Sequence, residues 1–176
     1  MARQGEFVRA SNLIVDLAND GDSTAQYVLS MYFRDPNALN IPELGEMWLM
    51  RAAENNNPFA QYDLGWRLAA GWKNDTVEDI VEMIYWFERA TFNGSDDAYA
   101  NLATLYENEF RDVLAEMEVA ANNGNAMAQF NLGWINARGL VSSEGLMQDM
   151  DVAKAWFEKS ANLGFKDAIE VLEKNF

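Results

Sequence analysis

Two carboxylates four residues apart, Glu78 and Glu82, would share one face of a helix, a placement from which paired acids do glycosidic acid–base work or hold a divalent cation. The word Asn19-Asp20-Gly21-Asp22 has the flavour of a calcium loop, but the further acidic ligands and the closing Glu of such a loop are missing. The 176 residues include no His and no Cys, which removes the commonest base and the strongest nucleophile at neutral pH. Helical carboxylates at this spacing are far more often surface charge, and Asn19 to Asp22 falls where a turn is expected. The chain is therefore read as non-catalytic, without a metal site or a cofactor. The sequon Asn74-Asp75-Thr76 carries meaning only in a secreted protein.

The elements that would position any site come from repetition. Ala60-Gln61-Tyr62-Asp63-Leu64-Gly65-Trp66 and Ala128-Gln129-Phe130-Asn131-Leu132-Gly133-Trp134 match in type at six of seven positions, and Ala25-Gln26-Tyr27 opens a third copy. Weaker copies begin at Ala98 and Ala168, giving steps of 35, 38, 30 and 40 residues. Such steps lie in the period range of stacked helical hairpins. Ala60, Leu64 and Leu68 recur every four residues on one helix face, and Gly65 and Gly133 are expected to admit a second backbone.

An independent set of anchors has the same steps. Trp48, Trp86 and Trp156 are each followed by a small pair and then, eight residues on, by Asn56, Gly94 or Gly164; Gly21 and Gly124 complete that series. These Gly and Asn residues stand where a helix must end with positive φ, and the three Trp are expected to be structural. Glu116 takes the Trp place in the unit from 98 to 124, whose two helices would be joined by almost nothing near residue 109.

The pattern Ala-Gln-aromatic-x-Leu-Gly, a loop, then Ala-x-x-Trp-x-x-x-small-Ala-x-x-Gly resembles the Sel-one-like repeat, a relative of the tetratricopeptide repeat. It is clearest from Ala128 to Gly164, with Asp151, Ala153, Trp156, Phe157 and Ala161 in place. The resemblance implies an all-α, right-handed α/α solenoid of about four to five helix-turn-helix repeats. It divides the chain into an N-terminal helix about 5–19, repeats about 22–57, 58–94, 95–124 and 125–164, and a capping helix 166–176. It also implies a non-enzymatic interaction module that takes a protein or peptide on its concave face. Cysteine-stapled secreted members of the family, some of them similar to penicillin-binding enzymes, are disfavoured by the absence of Cys.

Aligned on the tetratricopeptide pattern, the first helices would line the groove with Tyr27, Tyr62 and Phe130, then Met31, Trp66 and Trp134, then Arg34 and Arg138. Leu64 and Leu132 already fill the core slot, so Trp66 and Trp134 are the expected anchors. The loops 35–42, 71–77 and 139–150 vary most in length, as partner-reading insertions do. Charge supplies the alternative: 28 acidic against 13 basic residues give a net −15, which repels nucleic acid and anionic lipid. An acidic inhibitor or immunity-type protein sequestering a basic partner such as a nuclease would use that surface. No apolar run is long enough to span a membrane and the start lacks a signal-peptide core, so a cytoplasmic monomer, or a weak homodimer through Ile169, Leu172 and Phe176, is expected.

Overall fold

A computed structural model describes residues 13–71, 76–139 and 148–176. Among these residues the regular structure is helical, with no strand. In chain order the helices are α1 (13–19), α2 (Ser23–Arg34), α3 (Pro42–Glu54), α4 (Pro58–Gly71), α5 (Val77–Phe92), α6 (Asp96–Asn122), α7 (Ala126–Arg138), α8 (Met150–Asn162) and α9 (Lys166–Asn175). Residues 5–12 of the expected N-terminal helix, the sequon's Asn74 and Asp75, and most of the loops 71–77 and 139–150 lie outside the described residues. Consecutive helices pack side by side, α2 on α3, α4 on α5 and α7 on α8, which makes the chain an α/α solenoid.

One local grammar starts each unit. The preceding helix ends in a residue of positive φ: Gly21 (96°), Asn56 (63°), Gly94 (95°), Gly124 (87°) and Gly164 (83°). The next side chain then caps the new helix, because Asp22, Asn57, Ser95 and Asn125 accept the backbone N–H of Ala25, Ala60, Ala98 and Ala128. That places each repeat Ala one turn inside its helix, on the buried face. Phe165 occupies the cap position before α9 and makes no such bond. Asn19 to Asp22 is one of these junctions, with Gly21 and the Asp22 cap doing the work of a turn.

The Gln after that Ala is a bolt between helices. Gln26, Gln61 and Gln129 each donate from Nε2 to a carbonyl eight residues upstream, those of Ala18, Ala53 and Ala121, at 2.8–2.9 Å. In two units the Gln oxygen is met in turn, since Asn55 Nδ2 donates to Gln26 Oε1 and Asn93 Nδ2 to Gln61 Oε1, both at 2.9 Å. The corresponding residue for Gln129 is Leu163, and Gln129 Oε1 is buried without a hydrogen-bond partner. The bolt is absent from the third unit, where Tyr99 stands in the Gln place and is exposed.

That third unit departs from the expected hairpin. Rather than two short helices broken near residue 109, α6 is one helix of 27 residues. No Gly or Pro occurs between Asp96 and Asn122 to stop it. Both α5 and α7 pack on α6, and they also touch each other.

The two glycines of the Leu-Gly pairs also serve differently from expectation. A Cβ at Gly133 would lie 2.4 Å from the Phe157 ring, and one at Gly65 would lie 2.8 Å from the Phe87 ring. Each glycine therefore seats an aromatic ring rather than a backbone. Trp48 and Trp86 are buried as expected, but in α8 the fully buried ring is Phe157, and Trp156 is half-buried under Lys159. One apolar cluster joins α1, α2 and α3 through Ala18, Leu29 and Trp48. A second fills the space between α5, α6 and α7. The third reaches from Leu49 and Ala52 through Tyr85 and Phe130 to Phe157 and Val171.

Candidate functional site

The expected groove residues separate into two places. On α2 and α4, Tyr27 stacks on Phe59 with ring centroids 6.0 Å apart, and Tyr62 stacks on Trp66 at 6.4 Å. Phe59, Tyr62 and Trp66 follow one another at helical spacing along α4, and Asn101 of α6 donates to the Tyr62 hydroxyl at 3.3 Å. Phe59 is 65% exposed, Trp66 53% and Met31 44%, so this row presents apolar surface to solvent. Burial raises the Tyr27 hydroxyl above its ordinary range, so that phenol stays neutral. Phe59 was not foreseen; its place three residues before Tyr62 is the signal that would have revealed it.

Charge frames the row. Arg34 pairs with Asp63 at 2.9 Å and donates from Nε to the Ser30 carbonyl at 3.1 Å, while Arg67 joins Asp63 at 3.2 Å and reaches Glu46. Arg34, expected to contact a partner, is thus held by Asp63 across to α4. Truncating it would release both ties.

Phe130, Trp134 and Arg138 sit elsewhere, among packed neighbours. Phe130 is 2% exposed and lies between Tyr85, Phe157 and Phe165. Trp134 is half-buried against Phe92, Phe130 and Phe157, at 5.5, 6.3 and 5.5 Å. The residue two after Leu132 therefore points sideways, but onto protein. Phe92 remains 54% exposed beside it.

Arg138 turns inward. It stacks over Trp134 at 5.1 Å and its Nη1 pairs with Glu88 Oε2, although without the alignment of a hydrogen bond. Glu88 is fully buried on α5, and the Tyr106 hydroxyl of α6 donates to its other oxygen at 3.5 Å. Desolvation lifts the Glu88 carboxyl to about 7, against the lowering pull of Arg138. This cluster joins α5, α6 and α7 from three helices. Spacing could not have revealed it, because Glu88 and Arg138 are fifty residues apart in sequence.

The carboxylates that opened the question of chemistry are placed too. Glu82 accepts from the Trp86 indole N–H at 3.1 Å, and Glu78 is exposed in the first turn of α5 beside the Thr76–Asp79 capping box. No group of three or more metal-ligating side chains occurs among the described residues. Nor is any helix there long and apolar enough to cross a membrane.

Comparison with known proteins matches residues 58–94 and 126–165 to the Sel1 repeat. Among solved structures, a Sel1 repeat protein from Oxalobacter formigenes is 26% identical, with 94% of this chain and 98% of that one covered and a TM-score of 0.41. The protective antigen c5321 of uropathogenic Escherichia coli, which displays an SLR fold, is 27% identical over 90% of this chain, with a TM-score of 0.45. The match spans 34% of that longer protein. No curated protein sequence matches.

Proposed function

Because the chain is a helical repeat protein of the Sel1-like repeat family, whose members generally serve as protein-interaction modules, we propose that it binds a protein partner through the aromatic row of α2 and α4. One observation carries this reading: Trp66, 53% exposed, stacks on Tyr62, and Phe59 of α4 and Met31 of α2 are exposed as well. A fold that buries Trp48 and Trp86 almost completely leaves this indole in solvent. Large rigid rings in a row, each held by a neighbour, give contact area at little entropic cost, and such residues dominate interface energies. The function involves no bond-making step and no cofactor.

The net charge of −15 favours a second reading, a sequestering protein for a basic partner. Salt and a single substitution separate the two. Tagged wild type and Trp66→Ala are used to capture partners from the native cell at low and high salt. A partner held at high salt by wild type and lost by Trp66→Ala supports the aromatic row. One retained by Trp66→Ala but shed at high salt transfers the function to the acidic surface.

A further inference from the structure

We infer that a second site, between α5, α7 and α9, takes an extended peptide by inserting one large apolar side chain against Trp134. A recess of about 150 Å³ opens there, floored by the rings of Phe92, Phe130 and Trp134. That volume is of the order of an apolar cavity able to hold one benzene ring. A wider groove of about 640 Å³ lies beside the recess, and the two spaces share Asn56, Arg89, Asp167 and Glu170 as lining. An anchor recess beside a wider groove fits a chain with a side chain to insert, rather than an isolated small molecule.

Carboxamides stand around the recess, each with one end fixed. Asn56 Oδ1 accepts from Arg89, Asn93 Nδ2 donates to Gln61, and Asn175 Nδ2 donates to the Val171 carbonyl at 3.0 Å. The other ends, Asn56 Nδ2, Asn93 Oδ1 and Asn175 Oδ1, have no partner among the described residues. They offer a donor and two acceptors, the complement of peptide carbonyl and N–H groups, on side chains whose orientation is already set.

Charge argues against an ionic occupant. Arg89 is bound to the Tyr85 hydroxyl at 2.8 Å and to Asp167 at 2.7 Å, and Lys174 pairs with Glu170. The four ionised groups lining the recess cancel, so the site is locally neutral on a strongly acidic protein. Recognition there rests on apolar insertion and amide pairing.

The inference stands apart from the Trp66 row, and the test keeps the two distinct. Acetyl-Gly-Phe-Gly-amide, its Ala counterpart and the Phe peptide with a free carboxylate are titrated into the isotopically labelled protein and followed by NMR. The capped Phe peptide is expected to saturate near 1 mM, a reasonable strength for so small a ligand, with shifts centred on the Trp134 indole. The Ala peptide should bind at least about tenfold more weakly. Asn56→Gly, which suits the positive φ of that turn, and Asn175→Ala should each weaken the Phe peptide about threefold or more. Trp66→Ala should leave it unchanged. Equal binding of Phe and Ala peptides, dependence on the free carboxylate, shifts centred on Trp66, indifference to both Asn substitutions, or no saturation would each overturn the inference.

Discussion

Asn93 Nδ2 donates to Gln61 Oε1 at 2.9 Å, so the residue that closes α5 holds the side chain that bolts α4 to the preceding helix. The equivalent pair one Gln-bearing unit later is Leu163 and Gln129, and there the bond is missing. Leu163→Asn supplies the donor at a position where the leucine is 55% exposed and little burial is lost. Stability should rise by about 0.5–1.5 kcal/mol, read from the midpoint of urea unfolding. An unchanged midpoint would mean that the carbonyl oxygen of Gln129 is already satisfied by water.

Glu88 gives the protein an unusual pH response. Its carboxyl titrates at about 7 when folded, against 4.5 as the ordinary value, so the folded state holds the proton more tightly than the unfolded chain. The stability contributed in this way is complete below pH 4.5 and is lost as pH rises to 7. Glu88→Gln lacks that dependence but keeps the shape. The stability of the variant relative to wild type should therefore climb by about 1–3 kcal/mol between pH 4.5 and 7. A difference that stays flat across this window would place the Glu88 titration elsewhere.

Trp86 and Trp66 should respond in opposite ways to truncation. Trp86 is 5% exposed and bonded to Glu82, so Trp86→Ala should cost about 3–5 kcal/mol. Trp66→Ala should shift thermal unfolding by no more than about 2 °C while removing partner binding. Trp134→Ala belongs with Trp86→Ala, given its contacts to Phe92 and Phe157, so a Trp66/Trp134 double substitution would confound folding with binding.

Gly133→Ala should destabilise by about 1–3 kcal/mol, because its new methyl would meet the buried Phe157 ring. Pairing it with Phe157→Leu should recover part of that loss, and the coupling energy from the four-membered cycle measures how much. Strict additivity would show that the ring and the glycine do not touch.

How much of this was legible depends on the range of the interaction. The junctions were legible because their requirements are local: a residue tolerant of positive φ at Gly94 or Gly124, then a cap such as Ser95 or Asn125. Trp48 and Trp86 were placed by their spacing from those junctions. Arg138, expected to line the groove, pairs instead with a counter-charge from another unit, and a sequence shows no partner fifty residues away. The Ala-Gln word was visible, yet the Gln bolt was not, since the same Gln could have faced water. The continuity of α6 did leave a trace in the lack of any helix breaker from Asp96 to Asn122. Repeat symmetry argued for a turn more loudly than that silence argued against one.

The long α6 has a further consequence for how the molecule comes apart. In a linear array each unit leans only on its neighbours, so such chains can fray one unit at a time from an end. Here α6, about 40 Å of unbroken helix, is gripped at α5 and α7, and those two helices also touch. Beyond them, Arg89 of α5 holds Asp167 of α9. The second half of the chain is thus a closed loop of contacts, in which releasing α9 also loosens α5. Melting there should be communal, with no half-unravelled array for a protease to find.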